Sequence, residues 1–140
     1  MEDIINRLSN NQYNTTGGCK VIISDATLKD KSYLIGRIGL IMLSTGTTSW
    51  RVRRSMVKVA DALGVNLVCE IGLLNINYTC YTEEDSCTHS ITLKGHSINI
   101  NKLHKIQRYV DLFSNDYVKK SIADNNRILD EIDDFKALYP

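Results

Sequence analysis

The sequence predicts an α+β fold in which a small antiparallel sheet, a long β-hairpin spanning about residues 66–94, packs against about four helices. Three observations carry that expectation. Apolar residues recur at helical spacing before residue 64 and again after residue 100. Between them, apolar and polar residues alternate on both sides of the acidic run Glu83-Glu84-Asp85. Glycine or hydroxyl residues punctuate nearly every change of pattern.

The first 30 residues are a poorly defined segment. Ile4, Ile5 and Leu8 have helical spacing, Asn10 to Gly18 is polar and Gly-rich, and the β-branched run Lys20 to Ser24 is a candidate extra strand. From Ser32 the reading sharpens. Leu34, Ile35, Ile38, Ile41 and Met42 mark a buried helix ending near Leu43, with Gly36 and Gly39 letting a neighbour approach closely. The hydroxyl-rich run Ser44 to Ser49 then breaks the helix. Gly46 suits a positive-φ C-cap, and one of the hydroxyls is expected to cap the next helix.

The second helix runs from about Ser49 to Leu63, places Val52, Met56, Val59 and Leu63 on one face, and ends at Gly64. Asn66 to Thr82 is rich in β-branched and aromatic residues and reads as one long strand bent at Gly72. After the acidic turn, Cys87 to Lys94 alternates with His89, Ile91 and Leu93 on one side, completing the hairpin. Two helices follow. Asn101 to Ser114 turns Leu103, Ile106, Val110 and Phe113 inward. Ser121 to Leu138 turns Ile122, Leu129, Ile132 and Phe135 inward and opens with Ser121 and Asp124 in capping-box spacing.

A length of 140 residues fits about one domain, taken as residues 31–140 after the undefined start. With 17 Lys and Arg against 16 Asp and Glu, the net charge is +1, so no global field draws the chain to nucleic acid or to an acidic lipid surface. The start lacks a secretory signal pattern. The longest greasy stretch, Tyr33 to Leu43, is interrupted by Arg37 and is shorter than the roughly 20 residues a membrane-spanning helix needs. The four cysteines, Cys19, Cys69, Cys80 and Cys87, form no Cys-x-x-Cys pair and are expected to be reduced. In a tight hairpin Cys80 and Cys87 face each other and can oxidise in air.

Catalytic chemistry has thin support. His89, His96 and His104 are spread along the chain without a His-Glu-x-x-His or a carboxylate cluster, and no Gly-x-Ser-x-Gly elbow or P-loop lysine is present. The expectation is no enzyme, no metal and no cofactor. The better functional candidate is the start of the second helix, where unpaired N–H groups sit in a run of hydroxyls and arginines. Ser44, Gly46, Thr47, Thr48, Ser49, Arg51, Arg53 and Arg54 are the residues expected to contact an anion or a partner. The plainer alternative is a helix start whose Arg51, Arg53, Arg54 and Lys58 are solvated, or pair with the acidic residues Asp130, Glu131, Asp133 and Asp134 of the last helix, of which the intramolecular pairing is preferred.

Leu43-Ser44-Thr45-Gly46-Thr47-Thr48-Ser49-Trp50-Arg51-Val52, followed by Val59-Ala60-Asp61-Ala62-Leu63-Gly64, resembles the N-terminal cytosolic domain of the threonine/serine exporter family. The order continues with a strand pair, then Ser97-Ile98-Asn99-Ile100-Asn101-Lys102-Leu103, then Ile128-Leu129-Asp130-Glu131-Ile132. The resemblance covers about Ser32 to Pro140. One departure stands out: after Arg51-Val52 the family usually carries an acidic residue, whereas this chain has Arg53 and Arg54, so a role tied to that carboxylate does not carry over.

The resemblance implies a domain on the cytoplasmic side of the membrane that assists assembly, gating or regulation of small-metabolite export. Membrane helices of the same or a partner subunit would follow it. A small anionic or zwitterionic metabolite is a candidate ligand, and self-association stays open. The alternatives are a stand-alone binding or regulatory protein and, less favoured, a small hydrolase.

Overall fold

The computed structural model describes residues 20–95 and 98–134. The readings at Ile4, Ile5 and Leu8, at Asn10 to Gly18, and at Cys19, His96, Ser97, Phe135 and Leu138 lie outside the described residues. Four helices and a three-stranded antiparallel sheet form the expected α+β architecture: α1 (Leu28–Ser44), α2 (Ser49–Ala62), β1 (Asn66–Ile71), β2 (Asn75–Tyr81), β3 (Ser86–Thr92), α3 (Ile100–Phe113) and α4 (Ile122–Asp133).

Helix α1 starts four residues earlier than its apolar pattern suggests, because Thr27 caps it: the Thr27 hydroxyl accepts the Asp30 N–H at 3.2 Å. It is buried on all sides from Ser32 to Gly39 and again from Ile41 to Leu43. The sheet, α2, α3 and α4 all pack on it, so it is the central element of the core. Each large side chain it buries contributes roughly 1.5–3 kcal/mol. The two glycines act as expected. A Cβ on Gly36 would meet the Tyr78 hydroxyl at 2.0 Å, and one on Gly39 would meet the Met56 sulfur at 2.5 Å. That space lets Tyr78 reach past the helix and donate to the Ser32 carbonyl at 2.9 Å.

The stretch from residue 66 to 82 is two strands rather than one. Leu67, Cys69 and Ile71 face inward in β1, but Ile76, Tyr78 and Cys80 do so in β2. That change from odd to even positions cannot occur along a single straight strand. The chain reverses at Gly72-Leu73-Leu74-Asn75, where the Gly72 N–H bonds the Asn75 carbonyl at 2.8 Å. Leu73 sits on the tip with 78% of its surface exposed, an apolar residue in a turn, which propensity alone reads as strand.

The sheet order is β1-β2-β3, and cross-strand rows such as Cys69–Tyr78–His89 and Ile71–Ile76–Ile91 line its inner face. Helix α1 covers β2 and β3, and α2 covers β1. The outer face is polar, with Thr79 and Thr88 hydroxyls 2.9 Å apart and Ser90 donating to Asn77. Lys20 to Ser24 adds no strand to this sheet. Ile22 makes one isolated bridge with Ser121, and Ile23–Asp25 forms a single 3-10 turn.

Helix α2 buries Val52, Met56 and Val59, and it ends in Leu63 and in Gly64 at φ 73°. Asn99 caps α3 by accepting the Lys102 N–H at 3.0 Å, and Ser121 caps α4 by accepting the Asp124 N–H at 3.0 Å. Tyr109 and Phe113 of α3, Ile122 and Leu129 of α4, and Ile23 close the lower core. The buried Asn125 takes the Tyr109 hydroxyl and donates to the Tyr117 and Ser121 carbonyls, so no polar atom of that side chain is stranded there.

Candidate functional site

The turn between α1 and α2 is built by its own backbone. Thr45 ends α1, Gly46 takes φ 82°, and the Gly46 N–H returns to the Leu43 carbonyl at 3.1 Å. Ser44 and Thr45 turn their hydroxyls back onto the Ile41 and Met42 carbonyls, at 2.5 and 2.6 Å. Ser44 therefore spends its hydroxyl on its own helix. Thr48 is the N-cap of α2 and its carbonyl accepts the Val52 N–H at 3.2 Å, but its side chain makes no capping bond. The expected hydroxyl cap is absent there, and the first N–H groups of α2 take no side-chain acceptor from the cap position.

The remaining candidates point in three directions. Gly46, Thr47, Thr48 and Ser49 line an open groove of about 360 Å³ with Leu43, Ile71, Gly72 and Leu73, between the α1–α2 turn and the β1–β2 turn. Arg51 and Arg54 line a second groove of about 220 Å³ with Trp50, Lys58, Gln107 and Asp111, between α2 and α3. Arg53 lies over β1 against Cys69, whose thiol is pushed up by burial while the Arg53 charge and hydrogen bond oppose that shift. The structure thus joins the hydroxyl turn to the β1–β2 tip and sets the arginines on other faces of the α2 start.

The second groove has its own electrostatics. Lys58 pairs with Asp111 at 3.1 Å, Gln107 donates to the same carboxylate oxygen at 3.0 Å, and the Arg54 guanidinium lies 5.7 Å from the Trp50 ring centre. Burial pushes the Asp111 carboxyl up, but the bonds from Lys58 and Gln107 and the nearby cations outweigh it and hold the pKa below the usual range. Lys58 thus finds its acid on α3, not on the last helix.

The acidic residues of α4 do not pair with Arg51, Arg53 or Arg54. Asp130 takes the guanidinium of Arg37, and Asp133 takes Lys102 at 3.0 Å. Arg37 is 3% exposed and also donates to the Asn126 carbonyl and side chain at 3.3 and 3.2 Å. This pairing was missed because Arg37 reads in sequence as an interruption of a greasy run. The four-residue step from Asn126 to Asp130 on one face of α4 is the only sequence sign of its cradle.

His89 lies on the inner sheet face between Tyr33 and Tyr78, with ring centres at 5.1 and 5.3 Å, and its Nε2 is buried without a hydrogen-bond partner. His104 is exposed on α3. The two are not brought together. Among the described residues no group of three His, Cys, Asp or Glu side chains is arranged to hold a metal ion. Cys80 and Cys87 are register partners across β2 and β3, and both are free thiols. No helix among the described residues is long and apolar enough to cross a membrane.

The residues missed in sequence are apolar ones at the end of the fold near the hydroxyl turn. Leu73, Ile98 and Ile100 are 78%, 77% and 59% exposed, and Trp50 is 60% exposed. Ile98 sits against Gly46, and the Asn99 N–H bonds the Thr45 carbonyl at 3.1 Å.

Two comparisons with known proteins, against curated proteins and against solved structures, give no match. The third, against protein families, does. The family model described as "Putative threonine/serine exporter" matches residues 33–140, more than half of the chain and the same span on which the motif order rests.

Proposed function

Because this chain belongs to the threonine/serine exporter family, we propose that residues 31–140 form a cytoplasmic-side domain of an exporter. In this reading the domain assists assembly, gating or regulation of the membrane part and performs no catalysis itself. The family is a transporter family. The observation that carries the finer reading is the fold itself: the described residues of the matched span form an α+β core with its own central helix, and none of its described helices is of spanning type. A core built this way leaves the solute path to membrane helices elsewhere, in the same chain or a partner subunit.

Within this reading, the hydroxyl turn Gly46 to Ser49 and the cations Arg51, Arg53 and Arg54 are contact points for that membrane part or for a small anionic or zwitterionic metabolite. Their open grooves and exposed charges support a contact role, whereas Ser44 serves the turn. Charge reversal at Arg53 and Arg54 in the complete exporter tests the role. The expected result is reduced threonine and serine efflux or reduced assembly, and unchanged efflux with unchanged assembly would refute it.

A further inference from the structure

We infer that the end of the fold formed by Trp50, Leu73 and Ile98, with Arg51 and Arg53 on other faces of the α2 start, docks on the anionic surface of a lipid bilayer. The inference goes beyond the exporter reading and stands on the composition of one end of the molecule.

Three segments meet there. Leu73 shares a groove with Thr47, Thr48 and Ser49, Ile98 touches Gly46, and Trp50 follows directly in the first turn of α2. All three residues are more than half exposed, and together they put apolar surface on one end of the fold. Bilayer interfaces favour this mixture of tryptophan, aliphatic tips and cations.

Charge complementarity selects the occupant. No Asp or Glu occurs from Lys31 to Ala60, from Ile71 to Thr82 or from Ser86 to Val110, the three stretches that build this end. The same stretches bring Arg51 and Arg53, both exposed. The acidic hairpin turn Glu83-Glu84-Asp85 joins β2 to β3, at the opposite end of β2 from Leu73.

Helices α2 and α3 both start here, since the N-cap of α3 bonds the residue that ends α1, three positions before the N-cap of α2. They run side by side in the same sense, as the Lys58–Asp111 pair farther along both shows. Two helix N-termini therefore add partial positive charge to the arginines, suited to headgroup phosphates. The α4 flank carries acids: Asp133 is paired with Lys102, while Glu131 and Asp134 are exposed, so the docking face centres on the Trp50–Leu73 side.

Trp50 is the only tryptophan in the chain, so its fluorescence reads the docking directly. The test titrates the 140-residue chain with vesicles of phosphatidylcholine alone or mixed in equal parts with phosphatidylglycerol. The expected result is a blue shift and protection from aqueous quencher on the anionic vesicles only, weakening as salt rises. Arg51→Ala with Arg53→Ala is expected to weaken binding roughly 20- to 30-fold, and Leu73→Ser about tenfold. Val68→Ser, on the outer sheet face, leaves binding unchanged.

The inference is overturned by absent binding, by equal binding to both vesicle types, or by binding indifferent to Leu73. A blue shift that grows with protein concentration in the absence of vesicles would assign this end to a second copy of the chain and also overturn it. None of these outcomes bears on whether the complete exporter moves threonine, which efflux measures separately.

Discussion

Arg37, in the middle of the most buried helix, gives its guanidinium to Asp130 on α4, and this bond ties the central helix to the last one across 93 positions of sequence. The pair is asymmetric: the Arg37 side chain is 4% exposed and that of Asp130 is 51% exposed. Losing the acid strands a buried cation, whereas losing the cation leaves a carboxylate that water can reach.

Asp130→Ala is therefore expected to destabilise the fold by about 1–3 kcal/mol, the half exposure of the acid holding it below the full buried-pair cost. Arg37→Met, which fills the same space with an apolar chain, is expected to cost less than Asp130→Ala. Urea denaturation of both variants checks the order, and the reverse order would contradict the assignment of the burden to Arg37.

Gly36→Ala places a methyl group on the Tyr78 hydroxyl and breaks its bond to Ser32, so a loss of about 2–3 kcal/mol is expected. Gly39→Ala meets only the flexible end of Met56 and is expected to cost about half as much. Thermal melts of the two single variants rank them. Equal losses would mean that the close approach of Tyr78 is not what requires glycine.

His89 provides a pH test. Burial, and secondarily the Lys29 charge, lower its pKa from the usual 6.5. Between the lowered value and 6.5 the unfolded chain binds more protons than the folded one, so this contribution makes stability fall as pH drops through that window. Above it, both states are neutral and the contribution is flat. The urea midpoint followed downward from pH 7.5 is expected to fall more steeply for the natural chain than for His89→Phe.

Cys80 provides a chemical test. Burial raises its pKa to about 11, which leaves very little thiolate at pH 8. Alkylation of the folded protein is expected to spare Cys80 and to reach it only in denaturant, as peptide mapping by mass spectrometry would show. Fast labelling of Cys80 in the folded state would contradict its position on the inner sheet face.

The elements with strong local signals were legible in the sequence. The apolar stripe of α2, its stop at Gly64, and the Ser121 cap of α4 each rest on neighbours within a few positions. What was not legible depends on distant partners. The two strands within 66–82 look like one because Leu73 and Leu74 carry apolar side chains through a turn, and only the change of inward parity between Ile71 and Ile76 betrays it. The α4 acids were matched in sequence to the nearest cluster of arginines, but packing gave Asp130 to a buried arginine and Asp133 to Lys102. The hydroxyl turn was found, yet its separation from Arg51, Arg53 and Arg54 arises from helical rotation and from which neighbour covers each face.

We propose that this fold serves export of threonine and serine as part of a membrane assembly. The direct measurement is threonine and serine efflux from preloaded cells expressing the complete exporter, with residues 20–134 present or removed. Membrane insertion of the remainder is followed by immunoblot. The account predicts that efflux falls when the segment is removed while the inserted membrane part persists. Undiminished efflux from an exporter lacking this segment would contradict it.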